Sequence, residues 1–221
     1  AFSDTLKLRN NVSLFNATSA MPATWPMGAT FTDQTLSTIS RFAESKREDH
    51  SRAFNADLSL QYDGQLGETA NTLLVGTDRT IEHHRSERWL NFPADLNLYA
   101  PVYNVPYAST EFMRGYPASR KERFDQSGVY IQNQMKIAEK WVLLFGGRQD
   151  WAERGMSPIR SRDNWSREKS DAFTRRAGLV YLADNGLAPF VSWSESFQPQ
   201  AGVDRSGQRF EPTTGTQYEL G

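Results

Sequence analysis

The stretch from Phe124 to Trp151, FDQSGVYIQNQMKIAEKWVLLFGGRQDW, limits the fold more than any other part of the chain. On its first arm the odd positions carry Val129, Ile131, Asn133, Met135 and Ile137, and the even ones Tyr130, Gln132, Gln134 and Lys136. On the second arm Trp141, Leu143, Phe145 and Trp151 share the odd face, while the even positions finish with Gly146, Arg148 and Asp150. Successive side chains of a strand point to opposite sides of a sheet. A period of two with one apolar and one polar face therefore predicts two strands joined at Ala138-Glu139-Lys140. The border tryptophans set a length. From Trp141 to Trp151 a strand rises roughly 33 Å at about 3.3 Å per residue. Tilted by about 45° it projects to roughly 23 Å, close to the apolar band of about 25 Å on a membrane-spanning barrel. A half-buried soluble sheet shows the same alternation, so the hairpin alone leaves both readings open.

The connections separate them. The same alternation predicts strands from Thr5 to Leu14, over Leu36–Tyr62, over Leu73–Ile81, over Phe173–Tyr181, over Leu187–Phe197 and over 216–221. Leu36–Tyr62 reads as one long strand reaching from water into lipid, or as two with a hairpin near Glu48-Asp49-His50. The intervening segments alternate long (16–34), short (63–71), long (86–121), short (138–140), long (153–169), short (184–186) and long (198–215). An up-and-down barrel that places its long loops at one end and its tight turns at the other produces this order; a β-sandwich does not sort its loops by length. The fold class expected is all-β: about eight antiparallel strands over residues 1–221, a segment of a transmembrane β-barrel.

Composition removes other classes. The net charge is −1, without the clustered basic excess that nucleic acid requires. There is no cysteine, hence no disulfide, thiolate metal site or cysteine nucleophile. Mean hydropathy is −0.64, and no apolar run is long enough for a transmembrane helix; strands that are apolar at every second residue leave hydropathy low. His50, His83 and His84 lie in charged stretches, and no serine sits in a G-x-S-x-G elbow, so no catalytic site is expected. Adjacent His83 and His84 point to opposite faces of a strand and cannot both ligate one ion.

Six ordered runs carry a family resemblance: NTLLVGTD (71–78), LNLYAPVY (96–103), SGVYIQNQ (127–134), VLLFGGRQDW (142–151), RAGLVYLADNGLAPFVSWSESFQP (176–199) and PTTGTQYELG (212–221). Together they resemble the barrel domain of TonB-dependent siderophore receptors, most closely the ferrichrome-type hydroxamate branch. The resemblance implies a barrel of about 22 strands around an N-terminal plug, of which this chain would hold roughly a third. The plug, the energy-coupling box and an aromatic-terminated closing strand are not in the sequence. It also implies an outer-membrane receptor that takes up ferric siderophore through the TonB energy-transducing complex, acting on the plug. Its partners would be siderophore and outer-membrane lipid, and no cofactor would be needed, because iron travels inside the ligand. The alternative is a soluble β-rich carbohydrate- or ligand-binding module, which would cover Val129, Ile131, Leu143 and Phe145 with a second sheet.

The long segments hold aromatics that the strands do not explain, Trp25, Phe31, Trp89, Phe92, Tyr99, Tyr103, Tyr107, Tyr116 and Trp165. A compact, nearly neutral ferric hydroxamate suits an aromatic cup with a few hydroxyl donors. In the family the loop ending in the LNLY run contributes such contacts, which singles out Tyr99, then Trp89, Phe92 and Tyr103. The competing role for these residues is packing of the loops on one another or a place in the aromatic girdle at the rim. Gln132, Gln134, Lys136, Arg148 and Asp150 are expected on the lumen side.

Overall fold

The computed structural model describes residues 4–21, 23–31, 37–103, 113–114, 119–159, 164–200, 204–206, 208 and 210–221. Among the described residues eleven strands form one antiparallel sheet: β1 (Leu6–Ala20), β2 (Ala23–Phe31), β3 (Thr38–Leu66), β4 (Thr69–Asn91), β5 (Leu96–Asn97), β6 (Met113–Arg114), β7 (Arg120–Ile137), β8 (Trp141–Pro158), β9 (Ser166–Tyr181), β10 (Phe190–Gln198) and β11 (Thr213–Leu220). The main path runs β1-β3-β4-β7-β8-β9-β10-β11, the eight strands expected, with β2 and β5 paired to β3 and β6 paired to β4. Each strand of the path hydrogen-bonds to the next, as up-and-down connectivity requires. The sheet is open, with β1 and β11 at its edges.

The tight turns that join strands directly, at 67–68, 138–140 and 184–186, fall at one end. Leu66 pairs with Thr69 across Gly67 and Glu68, and Gly67 takes a φ of 60°. Ala138 and Glu139 have φ of 47° and 59°, and Lys140 N–H donates to the Ile137 carbonyl at 3.2 Å. Positive φ at two successive positions matches the right-handed twist of a hairpin, although residues with a Cβ adopt it at some cost. The neighbouring turn braces it. Leu182 N–H donates to the Lys140 carbonyl at 2.7 Å, Lys140 pairs with Asp184 at 2.8 Å, and the Trp141 and Tyr181 rings meet with centroids 4.5 Å apart.

At the other end the strands outrun the sequence reading. β3 passes straight through Glu48-Asp49-His50, pairing with β1 on one side and β4 on the other, so there is no second hairpin there. The segment 16–34, expected as a loop, is largely strand: β1 continues to Ala20, and β2 prolongs it along β3. β4 likewise continues to Asn91, β7 starts at Arg120, β8 reaches Pro158 and β9 begins at Ser166. The reason is that the apolar residues of these segments follow no period of two: charged and hydroxyl side chains dominate 40–52 and 82–88, and Pro22, Pro26 and Gly28 interrupt 16–34. Water surrounds them, so no apolar stripe marks the alternation, while the backbone ladder continues regardless.

The register puts most apolar residues of the central strands on one face, with Leu74, Val142, Leu144 and Val180 on the other. Leu60 sits opposite Val75, Val75 opposite Ile131, Ile131 opposite Gly147, and Leu143 opposite both Met135 and Leu179. No second layer covers this face among the described residues: Val129 is 45% exposed and Ile131 54%. Buried apolar side chains number three among the described residues, Ala43, Leu90 and Ala152. A soluble sandwich of this length would bury its inner faces against each other. Trp141 and Trp151 border the bare band, the arrangement of a wall in lipid. No helix among the described residues is long and apolar enough to cross a membrane.

Candidate functional site

Two places on the sheet gather functional groups. The first is the segment 92–103, which leaves the upper end of β4. Its start is tied down: the Arg41 guanidinium donates to the Ala94 carbonyl, from Nε at 2.9 Å and from a terminal nitrogen as well. Leu96 and Asn97 then pair with Ile39 and Thr38 as the short strand β5, and Leu98 N–H donates to the Ser37 carbonyl at 2.7 Å. Directly after it the Asn97 side-chain oxygen accepts the N–H groups of Tyr99 (2.9 Å) and Ala100 (3.0 Å). Tyr99 projects into solvent, 83% exposed, and Phe92 and Tyr103 are exposed on the same segment.

Trp89 is placed differently. It lies on β4, on the face shared with Val75 and Ile81, half-buried, with the Lys46 ammonium 4.7 Å from its ring centroid. Thus Phe92, Tyr99 and Tyr103 share one loop, while Trp89 sits on the outward face below it. Trp165 lies against Gly155, where an added Cβ would come within 3.1 Å of the ring, the packing role. Trp25 and Phe31 belong to β2, with side chains outside the described part, and Tyr107 and Tyr116 lie outside the described residues.

The second place is the polar face at mid-height, where four strands converge on Arg148. Its guanidinium donates to Asp150 from Nε at 2.8 Å and Nη2 at 2.6 Å, and to Asp78 from both terminal nitrogens, Nη2 at 3.0 Å. It also lies over the Tyr130 ring, 5.8 Å from the centroid. Tyr130 Oη donates to Asp57 at 2.9 Å and Gln126 Nε2 to Asp150 at 2.8 Å. Two glycines make this possible. Gly76 faces Tyr130 and Gly128 faces Asp150 across the ladder; an added Cβ would fall 2.3 Å from the Tyr130 ring and 2.0 Å from the Arg148 guanidinium. Arg148, Asp150, Gln132, Gln134 and Lys136 thus share the polar face as expected. The sequence reading missed Asp57, Asp78 and Tyr130. For Asp78 and Tyr130 the available signal was a carboxylate or phenol at polar-face parity opposite a glycine, Gly128 and Gly76; Asp57, which faces Asn11 and Asp78, had only its parity.

Higher on the same face His84 Nδ1 bonds Ser51 Oγ at 2.9 Å, and its Nε2 stands 3.9 Å from Asp49. His83 lies on the opposite face, lining a cavity with His50, Arg52 and Lys121. Burial pushes Asp49 upward, but the Ser86 hydroxyl and the Arg47 guanidinium outweigh it and hold the carboxyl below its ordinary range. No group of three or more His, Cys, Asp or Glu among the described residues is placed to hold a metal ion.

Comparison with known proteins gives this geometry a context. The family model described as "TonB dependent receptor-like, beta-barrel" matches residues 1–221. The chain is 34% identical over 172 residues to the ferrichrome outer membrane transporter/phage receptor of Escherichia coli (strain K12), covering 76% of this chain and 23% of that protein. It is 33% identical over 168 residues to the ferrioxamine B receptor of Salmonella typhimurium (strain SL1344), with coverage of 74% and 23%. The chain therefore spans about a quarter of the length of these relatives. The crystal structure of the ferric-catecholate import receptor Fiu from E. coli K12, in its closed form, superposes on 99% of this chain and 36% of its own. The TM-score is 0.74 at 17% identity, a likeness of fold.

Proposed function

Because the chain belongs to the TonB-dependent receptor β-barrel family, we propose that it is part of the wall and outer loops of a bacterial outer-membrane receptor that takes up a ferric hydroxamate siderophore. The observation that carries this is the loop 92–103. It is pinned to the top of β3 by Arg41, β5 and Ser37 and holds out Tyr99, Phe92 and Tyr103. Pinned aromatics offer large contact area with little ordering cost on binding, and a phenol adds a donor for a hydroxamate oxygen. Two relatives whose names specify hydroxamate ligands, ferrichrome and ferrioxamine B, support the ligand class. Iron would arrive inside the siderophore, as cargo.

In this reading the bare apolar face meets membrane lipid. The polar face with Arg148 lines the lumen, and the TonB energy-transducing complex drives uptake through a plug domain. Tyr99 is the leading ligand contact, followed by Phe92 and Tyr103. Trp89, on the outward face, would act by holding the upper end of β4. The test uses the full-length receptor that carries this chain, in outer-membrane preparations. Ferric hydroxamates are offered alongside haem and cobalamin, to wild type and Tyr99→Ala. Tight hydroxamate binding that weakens about tenfold or more in the variant is expected, the loss of a buried aromatic contact. Binding of a control ligand alone would overturn the substrate class.

A further inference from the structure

We propose that Asn97 is a positioning residue for ligand capture: its side-chain amide closes a turn that sets the direction of Tyr99. The proposal rests on the reading that this loop meets a ferric hydroxamate. With 83% of its surface exposed, Tyr99 gains little from packing, so its backbone must fix where the ring points. Two contacts do so. Leu98 N–H is held by the Ser37 carbonyl at 2.7 Å, and one residue later Asn97 Oδ1 takes the N–H groups of Tyr99 and Ala100 at 2.9 and 3.0 Å. An asparagine that accepts from the backbone two and three residues ahead closes an Asx turn, a conformation few other side chains supply. Pro101 follows and restricts Ala100 toward extended geometry. The ring is thus presented by a short, doubly tied corner.

The energetic role differs from contact. A loop that visits many arrangements binds through the fraction that is competent, and its apparent Kd rises as that fraction falls. Side-chain oxygens that cap backbone N–H groups are worth enough to change that fraction about threefold to tenfold. The loss appears in the association rate, because the bound complex keeps its own contacts once formed.

The experiment uses the full-length receptor in lipid nanodiscs, with ferrichrome and ferrioxamine B as probes and stopped-flow fluorescence as the readout. Asn97→Ala is expected to raise Kd about threefold to tenfold through kon, with koff unchanged. Asn97→Asp, whose carboxylate accepts the same two N–H groups, is expected to restore kon. In a Tyr99→Ala background Asn97→Ala is expected to cost nothing further. Hydrogen exchange of the Tyr99 and Ala100 amides in the unliganded receptor should quicken in Asn97→Ala and not in Asn97→Asp. Unchanged exchange, a loss carried by koff, failure of the aspartate to rescue, or an equal loss without Tyr99 would each overturn the positioning role. If the wild type binds neither probe, the functional reading falls and takes this proposal with it; that result is distinguishable because every other outcome starts from a wild type that binds.

Discussion

Replacing Arg148 with methionine tests whether the polar face is a built network or merely a wetted wall. Arg148 holds two carboxylates at once, Asp78 and Asp150. The Asp150 side chain keeps only 5% of its surface exposed, against 23% for Asp78 and 30% for Arg148. Methionine keeps an unbranched apolar stem like that of arginine and removes all four donated bonds. Asp150 would then keep Gln126 as its donor, with a like charge on Asp78 close by. Breaking a fully buried pair from one side costs about 3–5 kcal/mol. Partial exposure of Arg148 and Asp78 screens part of this, so a loss of about 2–3 kcal/mol is expected. Urea unfolding of the full-length receptor in lipid vesicles would measure it. Arg148→Lys should recover little, because an ammonium is a point charge and cannot fork between two carboxylates. Adding Asp150→Asn to Arg148→Met should cost less than the sum of the two, since the second change removes the charge that the first left unpaired. A methionine variant within about 0.5 kcal/mol of wild type, the size of an ordinary surface substitution, would refute the reasoning.

Face assignment is tested by Ile131→Lys against Gln134→Lys in the same vesicles. The first puts a charge at mid-band and should cost about 2–4 kcal/mol, the second should stay near zero, and equal costs would invalidate the register argument. For Asp49, the folded carboxyl is depressed by Ser86 and Arg47 against the upward push of burial. Its stabilisation is therefore present above the unfolded value of about 3.9 and is lost as pH falls through the lower folded value. The stability difference between wild type and Asp49→Asn should shrink as pH is lowered from about 5 to 3, and a difference that stays flat would count against it.

The sequence made the band legible and the rim illegible, for one physical reason. Where lipid meets one face and water the other, the two faces must differ in polarity. Val129, Ile131, Leu143 and Phe145 could therefore be assigned from parity alone, and their pairing neighbours follow. Beyond the band both faces meet water, the contrast disappears, and strand looks like loop. Thus a hairpin could be read near Glu48-Asp49-His50, although β3 runs through these residues as one strand. The aromatic loop was legible as composition and as family resemblance. Its geometry was not, because Trp89 and Phe92 are three residues apart yet divide between a strand face and a loop. Asn97 was invisible for a different reason. A single asparagine gains meaning only when the backbone two and three residues ahead turns toward it.

The rim has a signature of its own, and it explains where the candidate ligand loop stands. Cations and carboxylates two residues apart on one strand pair side by side: Lys46 with Glu48, Arg47 with Asp49, Arg85 with Glu87, and Arg120 with Glu122. Where both partners are open to water such a pair contributes little, about 0–1 kcal/mol; Asp49 and Glu87 are the buried partners of theirs, and the backbone ladder carries the strands upward. That ladder is longest at β3 and β4, with 29 and 23 residues, against 9 and 8 for β10 and β11. Arg79 is level with Ser127, and Ser127 with Trp151 at the upper border of the band. The strand from Arg79 to Asn91 therefore covers roughly 40 Å at about 3.3 Å per residue, or roughly 28 Å of height at a tilt of about 45°. The rim is raised at β3 and β4, and the loop bearing Tyr99 leaves the upper end of β4 and pairs along the top of β3. A ligand arriving from outside would meet this raised part of the wall early, which is where a capture residue would have to be.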